Sequence, residues 1–138
     1  MTDTFDRETR RWIMSRVLSR GTSPEVAVRK ALREARCKFS TKSGRLPGKP
    51  DFVLRKIRLA VFVNGCFWHW HGCPRSRMPK DNRPYWQRKI ARNVRRDRRS
   101  KAALRKAGWR YWTVWECNLK NGINRLLGRI RRLERQRL

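Results

Sequence analysis

The chain has 138 residues, enough for one compact domain with a packed core and too few for two. Its 38 Lys and Arg stand against 10 Asp and Glu, a formal net charge of +28, where a small soluble domain usually carries a charge of about 2–8. Such a surplus repels itself in a compact chain unless a polyanion neutralises it. Nucleic acid is therefore the first expected partner and an anionic membrane surface the second.

In chain order, residues 7–18 read as a short helix with Trp12, Ile13, Val17 and Leu18 as its apolar members. Gly21-Thr22-Ser23-Pro24 ends it. Ser23-Pro24 opens a second helix, with serine as cap and proline in the first turn; Val26, Val28, Ala31, Leu32 and Ala35 form its expected buried side. The turn-rich stretch Arg45–Pro50 leads to a strand beginning at Asp51. Two apolar runs, Asp51–Leu54 and Leu59–Val63, flank Arg55-Lys56 and read as a hairpin.

From Pro84 to Lys106 the helical signal is strong, and Gly108 is placed to stop it. Trp86, Ile90, Val94, Ala102 and Leu104 approximate its inward stripe, which also takes in Asp97. Trp109–Trp115 reads as an aromatic-rich strand ending at Glu116-Cys117. From Asn121 a basic amphipathic helix carries Ile123, Leu126, Leu127, Ile130 and Leu133 on one face. This order predicts a single α/β domain with a small mixed central sheet flanked by helices. Residues 1–120 form the main unit, and 121–138 are a basic C-terminal helix packed on it or extending it.

Residues 1–20 are polar and charged, and no apolar run approaches bilayer length, so no export or anchoring segment is expected. In the reducing cytoplasm that this implies, four cysteines point to metal binding rather than disulfides. Cys66, His69, His71 and Cys73 fall within eight residues, and Cys117 returns at the end of the later strand. Three thiolates and one imidazole satisfy a closed tetrahedral zinc site; spacing alone leaves His69 and His71 open as the fourth ligand. The imidazole left over is available for acid–base work. Cys37, beside Phe39, reads as a small buried hydrophobe.

A second constellation starts at Pro50-Asp51, with Glu25 in the first turn of a helix upstream. A carboxylate at the mouth of a strand can hold Mg²⁺, which polarises a phosphodiester and acidifies a bound water. A Pro-Asp pair more often makes a turn. Together with a spare histidine, the inward-facing Asp97 and a basic surface, it becomes a phosphodiesterase centre. A carboxylate on an inward stripe needs a cation, metal or imidazole, and an arginine ion pair is the structural alternative for Asp97.

Four blocks carry a resemblance: Leu46-Pro-Gly-Lys-Pro-Asp-Phe52, Asn64-Gly-Cys-Phe-Trp-His69, Asn93-Val-x-x-Asp97-Arg98-Arg99 and Val114-Trp-Glu-Cys117. In this order the chain resembles the very short patch repair endonucleases from about Thr9 to Cys117. These are bacterial DNA mismatch endonucleases with a restriction-endonuclease-like fold and a structural zinc. The resemblance implies an enzyme that nicks duplex DNA 5′ of the thymine in a T:G mismatch, the lesion left by deaminated 5-methylcytosine. It implies that Asp51 binds Mg²⁺ with the backbone carbonyl of Val63, that His69 is the catalytic acid or base, and that Glu25 and Asp97 support the metal waters and the histidine. Cys66, His71, Cys73 and Cys117 match the zinc ligands. Phe67 and Trp68 match aromatics that enter the base stack, Met14 a wedge from the other groove, and Trp86 and Asn93 lie where further DNA contacts are made, core packing being the alternative for Trp86. A T:G wobble pair stacks poorly, so an apolar wedge meets less resistance there than in sound duplex.

By the same resemblance the expected partners are mismatched double-stranded DNA and other mismatch-repair proteins, with no membrane. The expected setting is a monomer on the bacterial nucleoid. Two departures are visible: Asn64 stands where the family's best-known members have an assisting histidine, and the strand Val61–Val63 lacks the acid and lysine usual in the wider nuclease group. The alternative reading is a zinc-braced module that recognises distorted duplex without cutting it.

Overall fold

The computed structural model describes residues 23–66, 71, 73 and 78–136. The helix expected over 7–18, Met14 included, lies outside the described residues, as do Phe67, Trp68 and His69. The elements are helix α1 (Ser23–Glu34), strand β1 (Phe52–Leu54), a 3-10 turn (Arg55–Ile57), β2 (Leu59–Asn64), α2 (Arg83–Lys106), β3 (Arg110–Trp115), a second 3-10 turn (Glu116–Asn118) and α3 (Leu119–Gln136). None of these helices is long and apolar enough to cross a membrane.

β2 is the centre of a three-stranded mixed sheet. It pairs antiparallel with β1, with Phe52 opposite Val61 and Leu54 opposite Leu59. With β3 it pairs parallel, Leu59 beside Arg110 and Asn64 beside Trp115. A tight turn can join only antiparallel neighbours, whereas a parallel pair needs a crossover, which α2 supplies. Both faces of the sheet are covered, so β2 is apolar and buried from Leu59 to Phe62 rather than alternating.

One face sends Phe52, Leu54, Leu59, Val61 and Val114 against Val28 and Leu32 of α1 and Leu126, Ile130 and Leu133 of α3. The other packs Ala60 and Phe62 against Leu104 of α2, with Leu46, Trp109 and Tyr111 at its margin. A third cluster, Trp86 and Ile90 with Met78 and Val94, lies on the first half of α2. The three α3 side chains alone represent roughly 5–9 kcal/mol of burial, comparable with the whole net stability of a domain. α3 is therefore part of the core. It starts two residues earlier than the sequence pattern placed it.

Two helix faces differ from expectation. On α1 the buried stripe is Glu25, Val28 and Leu32, while Val26 is 50% exposed and Ala35 is also outside. Residues 25, 28 and 32 share one side at 100° per residue, and Val26 lies about a third of a turn away. On α2, Trp86, Ile90 and Leu104 are buried but Ala102 is exposed, because it falls about 160° from Trp86 around the axis.

Helix ends follow hydrogen-bond chemistry. Past α2, Gly108 (φ 84) donates its N–H to Arg105 O at 3.0 Å and Trp109 donates to Leu104 O at 2.9 Å, a Schellman ending that a glycine accommodates without strain. α1 ends the same way, with Cys37 N–H on Leu32 O at 2.9 Å and Arg36 N–H on Arg33 O at 3.0 Å. There the left-handed position is held by Arg36 (φ 57).

Candidate active site and metal centre

β2 and β3 run parallel and stop level with one another at Asn64 and Trp115. Ligand sites of open α/β sheets form beyond such carboxyl ends. Asp51 reaches this end from the other edge of β2. Its backbone N–H donates to Val61 O at 2.9 Å, and its Oδ2 accepts the Val63 N–H at 2.7 Å. The side chain thus continues the β1 ladder by one position, which fixes the half-buried carboxylate beside the last residues of β2. A carboxylate has about four acceptor positions, so this bond is compatible with coordination of a divalent ion by the same group.

The loop before Asp51 is held tightly. Gly48 has φ 81, and a Cβ there would stand 2.9 Å from Ser100 Cβ and 3.1 Å from the Phe62 ring. Ser100 lies one turn after Asp97, so the α2 face bearing half-buried Asp97 is the one turned toward this loop. Glu25 enters from α1 and is 8% exposed. Among the described residues, Glu25, Asp51 and Asp97 do not converge into a cluster of the kind formed by the sulfurs; Glu25 lies on α1, Asp97 on α2 and Asp51 just before β1.

The four zinc-type side chains do converge. One donor atom from each of Cys66, His71, Cys73 and Cys117 lies within 4.8 Å of the others. His71 Nδ1 stands 3.7 Å from Cys66 Sγ and 3.3 Å from Cys117 Sγ. A tetrahedral zinc, with Zn–S of about 2.3 Å and Zn–N of about 2.0–2.1 Å, sets S···N edges near 3.6 Å. The donor set and its spacing therefore fit that ion. None of the four cysteines is in a disulfide. Burial is the main reason that the Cys66 thiol is pushed up to about 12; side-chain hydrogen bonds with Cys73 and Cys117 add to this, and a backbone hydrogen bond at Cys117 opposes it. A cation among the sulfurs reverses that balance, since the ligand form is the thiolate.

Cys66 and Cys117 are 51 residues apart in the chain, and the level ends of β2 and β3 bring them together. Two further groups, to which the sequence pattern assigned no site role, brace the cluster. Glu116 Oε1 accepts the Cys66 N–H at 3.1 Å, tying one ligand segment to the other. The Trp115 ring stacks on His71, with centroids 4.1 Å apart and planes 6° from parallel, while His71 N–H donates to Cys66 O at 3.0 Å. Their adjacency to Cys117 was the available signal; the partners they meet were not visible in it.

Trp86 is 6% exposed and packs with Ile90, Met78 and Val94, the core alternative weighed for it, and Asn93 is half-buried. Asn64 is buried, 6% exposed, at the end of β2. Cys37 packs against the core, its thiol raised by burial first and the Glu134 charge second, with Arg131 opposing; that is the environment of an inert cysteine. The surface is strongly cationic: α2 alone carries eleven Lys and Arg against Asp97.

Comparison with known proteins places the chain in a family. The family described as DNA mismatch endonuclease Vsr matches residues 2–75. The type II nicking enzyme V.XorIIP of Xanthomonas oryzae pv. oryzae is 44% identical over 133 residues, covering 96% of this chain and 97% of that protein. The type II nicking enzyme V.NmeAIP of Neisseria meningitidis serogroup A is 39% identical over 137 residues, covering 95% and 98%. DNA mismatch endonuclease Vsr of Escherichia coli is 38% identical over 120 residues, covering 87% and 77%. With a match over more than half of its length and relatives aligned along nearly all of it, this chain belongs to the Vsr family of DNA mismatch endonucleases.

Proposed function

We propose that this protein is a Mg²⁺-dependent, strand-specific endonuclease that nicks duplex DNA 5′ of the thymine in a T:G mismatch, initiating very short patch repair of deaminated 5-methylcytosine. The observation that carries the reading is the sheet end itself. Asp51 is anchored there by the Val63 N–H at 2.7 Å, and Cys66 and His71 of the Cys66–His71–Cys73–Cys117 cluster bracket Phe67, Trp68 and His69 in the sequence.

Each step falls to a residue of the chain. Asp51 and the Val63 carbonyl would hold the divalent ion, which would polarise the scissile phosphate and acidify a water. The Val63 N–H keeps the Asp51 carboxylate from rotating away. His69 passes a proton to or from the oxygens exchanged at phosphorus, as the P–O bond to the 3′ oxygen breaks and one to water forms. Glu25 and Asp97 orient the water and the imidazole. Phe67 and Trp68 enter the stack beside the mispair and Met14 wedges from the opposite groove, the unstacking being least costly at a T:G wobble. The three thiolates and His71 Nδ1 would hold zinc, which would brace the two ligand segments against each other. The protein acts as a cytoplasmic monomer at the nucleoid, alongside other mismatch-repair proteins.

The test is nicking of strand-labelled T:G duplexes with and without Mg²⁺. Asp51→Ala and His69→Ala should each abolish the cut while leaving binding largely intact. Near-normal cutting by both variants refutes the proposal, and absence of any cut by the intact protein with Mg²⁺ favours a non-cleaving binder of distorted duplex.

A further inference from the structure

α3 buries Leu126, Ile130 and Leu133, with Leu119, Ile123 and Leu127 packed beside them. Its remaining surface is cationic: Lys120, Arg125, Arg129, Arg131, Arg132 and Arg135 against Glu134 alone. Five of these cations are exposed and Arg129 is half-buried. At 100° per residue they fall on two flanks of the helix's outermost line. Arg125, Arg129 and Arg132 follow one flank at i, i+4 and i+7; Lys120, Arg131 and Arg135 follow the other. Gly128 lies between the flanks.

The two glycines of α3 differ. A Cβ at Gly122 would stand 3.2 Å from Val114 Cγ1, so that glycine lets the helix settle on β3. Gly128 is exposed, and among the described residues nothing lies within 4 Å of where its Cβ would be. Glycine is disfavoured against alanine within a helix, and packing against the described residues gives no compensation here. What it does provide is bare backbone at the middle of a cationic face, where a partner can come closer than a side chain would permit.

We propose that the outer face of α3 is a docking surface for the phosphodiester backbone of duplex DNA, with a strand lying over Gly128 between the two rows of cations. The class of partner follows from the charge: rows whose members one turn apart rise by about 6 Å suit a polyanion with regularly repeated charges. The proposal takes duplex DNA from the functional reading above and adds a second surface to it. α3 starts two residues after Cys117, so this surface begins at the catalytic end of the sheet and leads away from it along flanking duplex. Backbone contacts fix position without reading sequence, so the face strengthens binding to matched and mismatched duplex alike.

The test is fluorescence anisotropy with a matched and a T:G duplex from 50 to 200 mM salt. The proteins are the intact chain, Arg125→Gln combined with Arg129→Gln and Arg132→Gln, and Gly128→Leu, with circular dichroism to check folding. Losing three phosphate contacts should lower the slope of log affinity against log salt by about 2–3. Both duplexes should weaken by the same factor, about tenfold or more at the low-salt end. Gly128→Leu should melt no lower than the intact protein yet bind both duplexes several-fold more weakly. A folded triple variant with unchanged slope and affinity overturns the proposal, as does Gly128→Leu with intact affinity. Vesicles of phosphatidylglycerol and phosphatidylcholine that displace matched duplex through these arginines would overturn it in favour of a membrane. Nicking by the intact chain is a separate readout: its absence would count against the catalytic reading while leaving the binding comparison decisive for α3.

Discussion

Gly48→Ala perturbs the loop that delivers Asp51, and its cost can be worked from contacts. The backbone there is left-handed at φ 81, which costs a residue with a Cβ about 1–2 kcal/mol. The new methyl would also stand 2.9 Å from Ser100 Cβ, an atom fixed by α2, and 3.1 and 3.2 Å from the Phe62 ring. Neither neighbour is the tip of a flexible chain, so overpacking adds about 1–3 kcal/mol. The sum is roughly 2–5 kcal/mol, and for a chain of this size the melting temperature should fall by at least roughly 6 °C. Adding Ser100→Gly removes the closest collision but not the backbone cost. In a double-mutant cycle the pair should therefore show a coupling of about 1 kcal/mol or more toward recovery. Thermal melts followed by circular dichroism measure both quantities, and nicking should drop with stability because Asp51 is three residues on. A Gly48→Ala melt unchanged from the intact protein, or additivity of the two substitutions, would refute the packing argument.

Elemental analysis should find about one zinc per chain, and its removal by a chelator should lower the melting temperature, since structural metal binding is folding free energy. Because the Trp115 ring stacks on His71 at 4.1 Å, Trp115→Leu should weaken zinc about 10–100-fold in competition with a chromophoric chelator, and Trp115→Phe should recover much of that loss. At the end of α1, Arg36→Gly should raise stability by about 1 kcal/mol in urea melts, because Arg36 holds a left-handed φ of 57 that glycine adopts freely.

The legible part of the fold was the part written in local chemistry. Two apolar runs around Arg55-Lys56 gave the hairpin, and Gly108 gave the end of α2 with its Schellman bonds. The parallel partner of β2 followed from a long helical segment between strands, because chain connectivity allows little else. Faces of helices were less legible. Apolar identity alone drew Val26 into the stripe of α1, where the angular position of Glu25 decides the buried side. Nothing local could show that Arg36 would take a glycine's conformation, since the bonds of Cys37 and Arg36 to the preceding turn impose it.

At the site, three of the four cysteines and both histidines announced a metal, but spacing left His69 and His71 open. In the structure the His71 Nδ1 stands among the sulfurs. Convergence of Cys66 with Cys117, and the supporting roles of Trp115 and Glu116, arise from the register of β2 against β3. Register between strands separated by a 24-residue helix is a property of packing, which no single segment encodes.

The most direct measurement of the catalytic account is single-turnover nicking of a T:G duplex labelled on each strand in turn, comparing the intact protein with Asp51→Asn. The substitution retains an oxygen for the Val63 N–H but removes the charge that holds a divalent ion. One Mg²⁺-dependent cut is expected, 5′ of the thymine and in that strand alone, slowed by at least about 100-fold in the variant at unchanged duplex affinity. Equal cutting by the two proteins would contradict it.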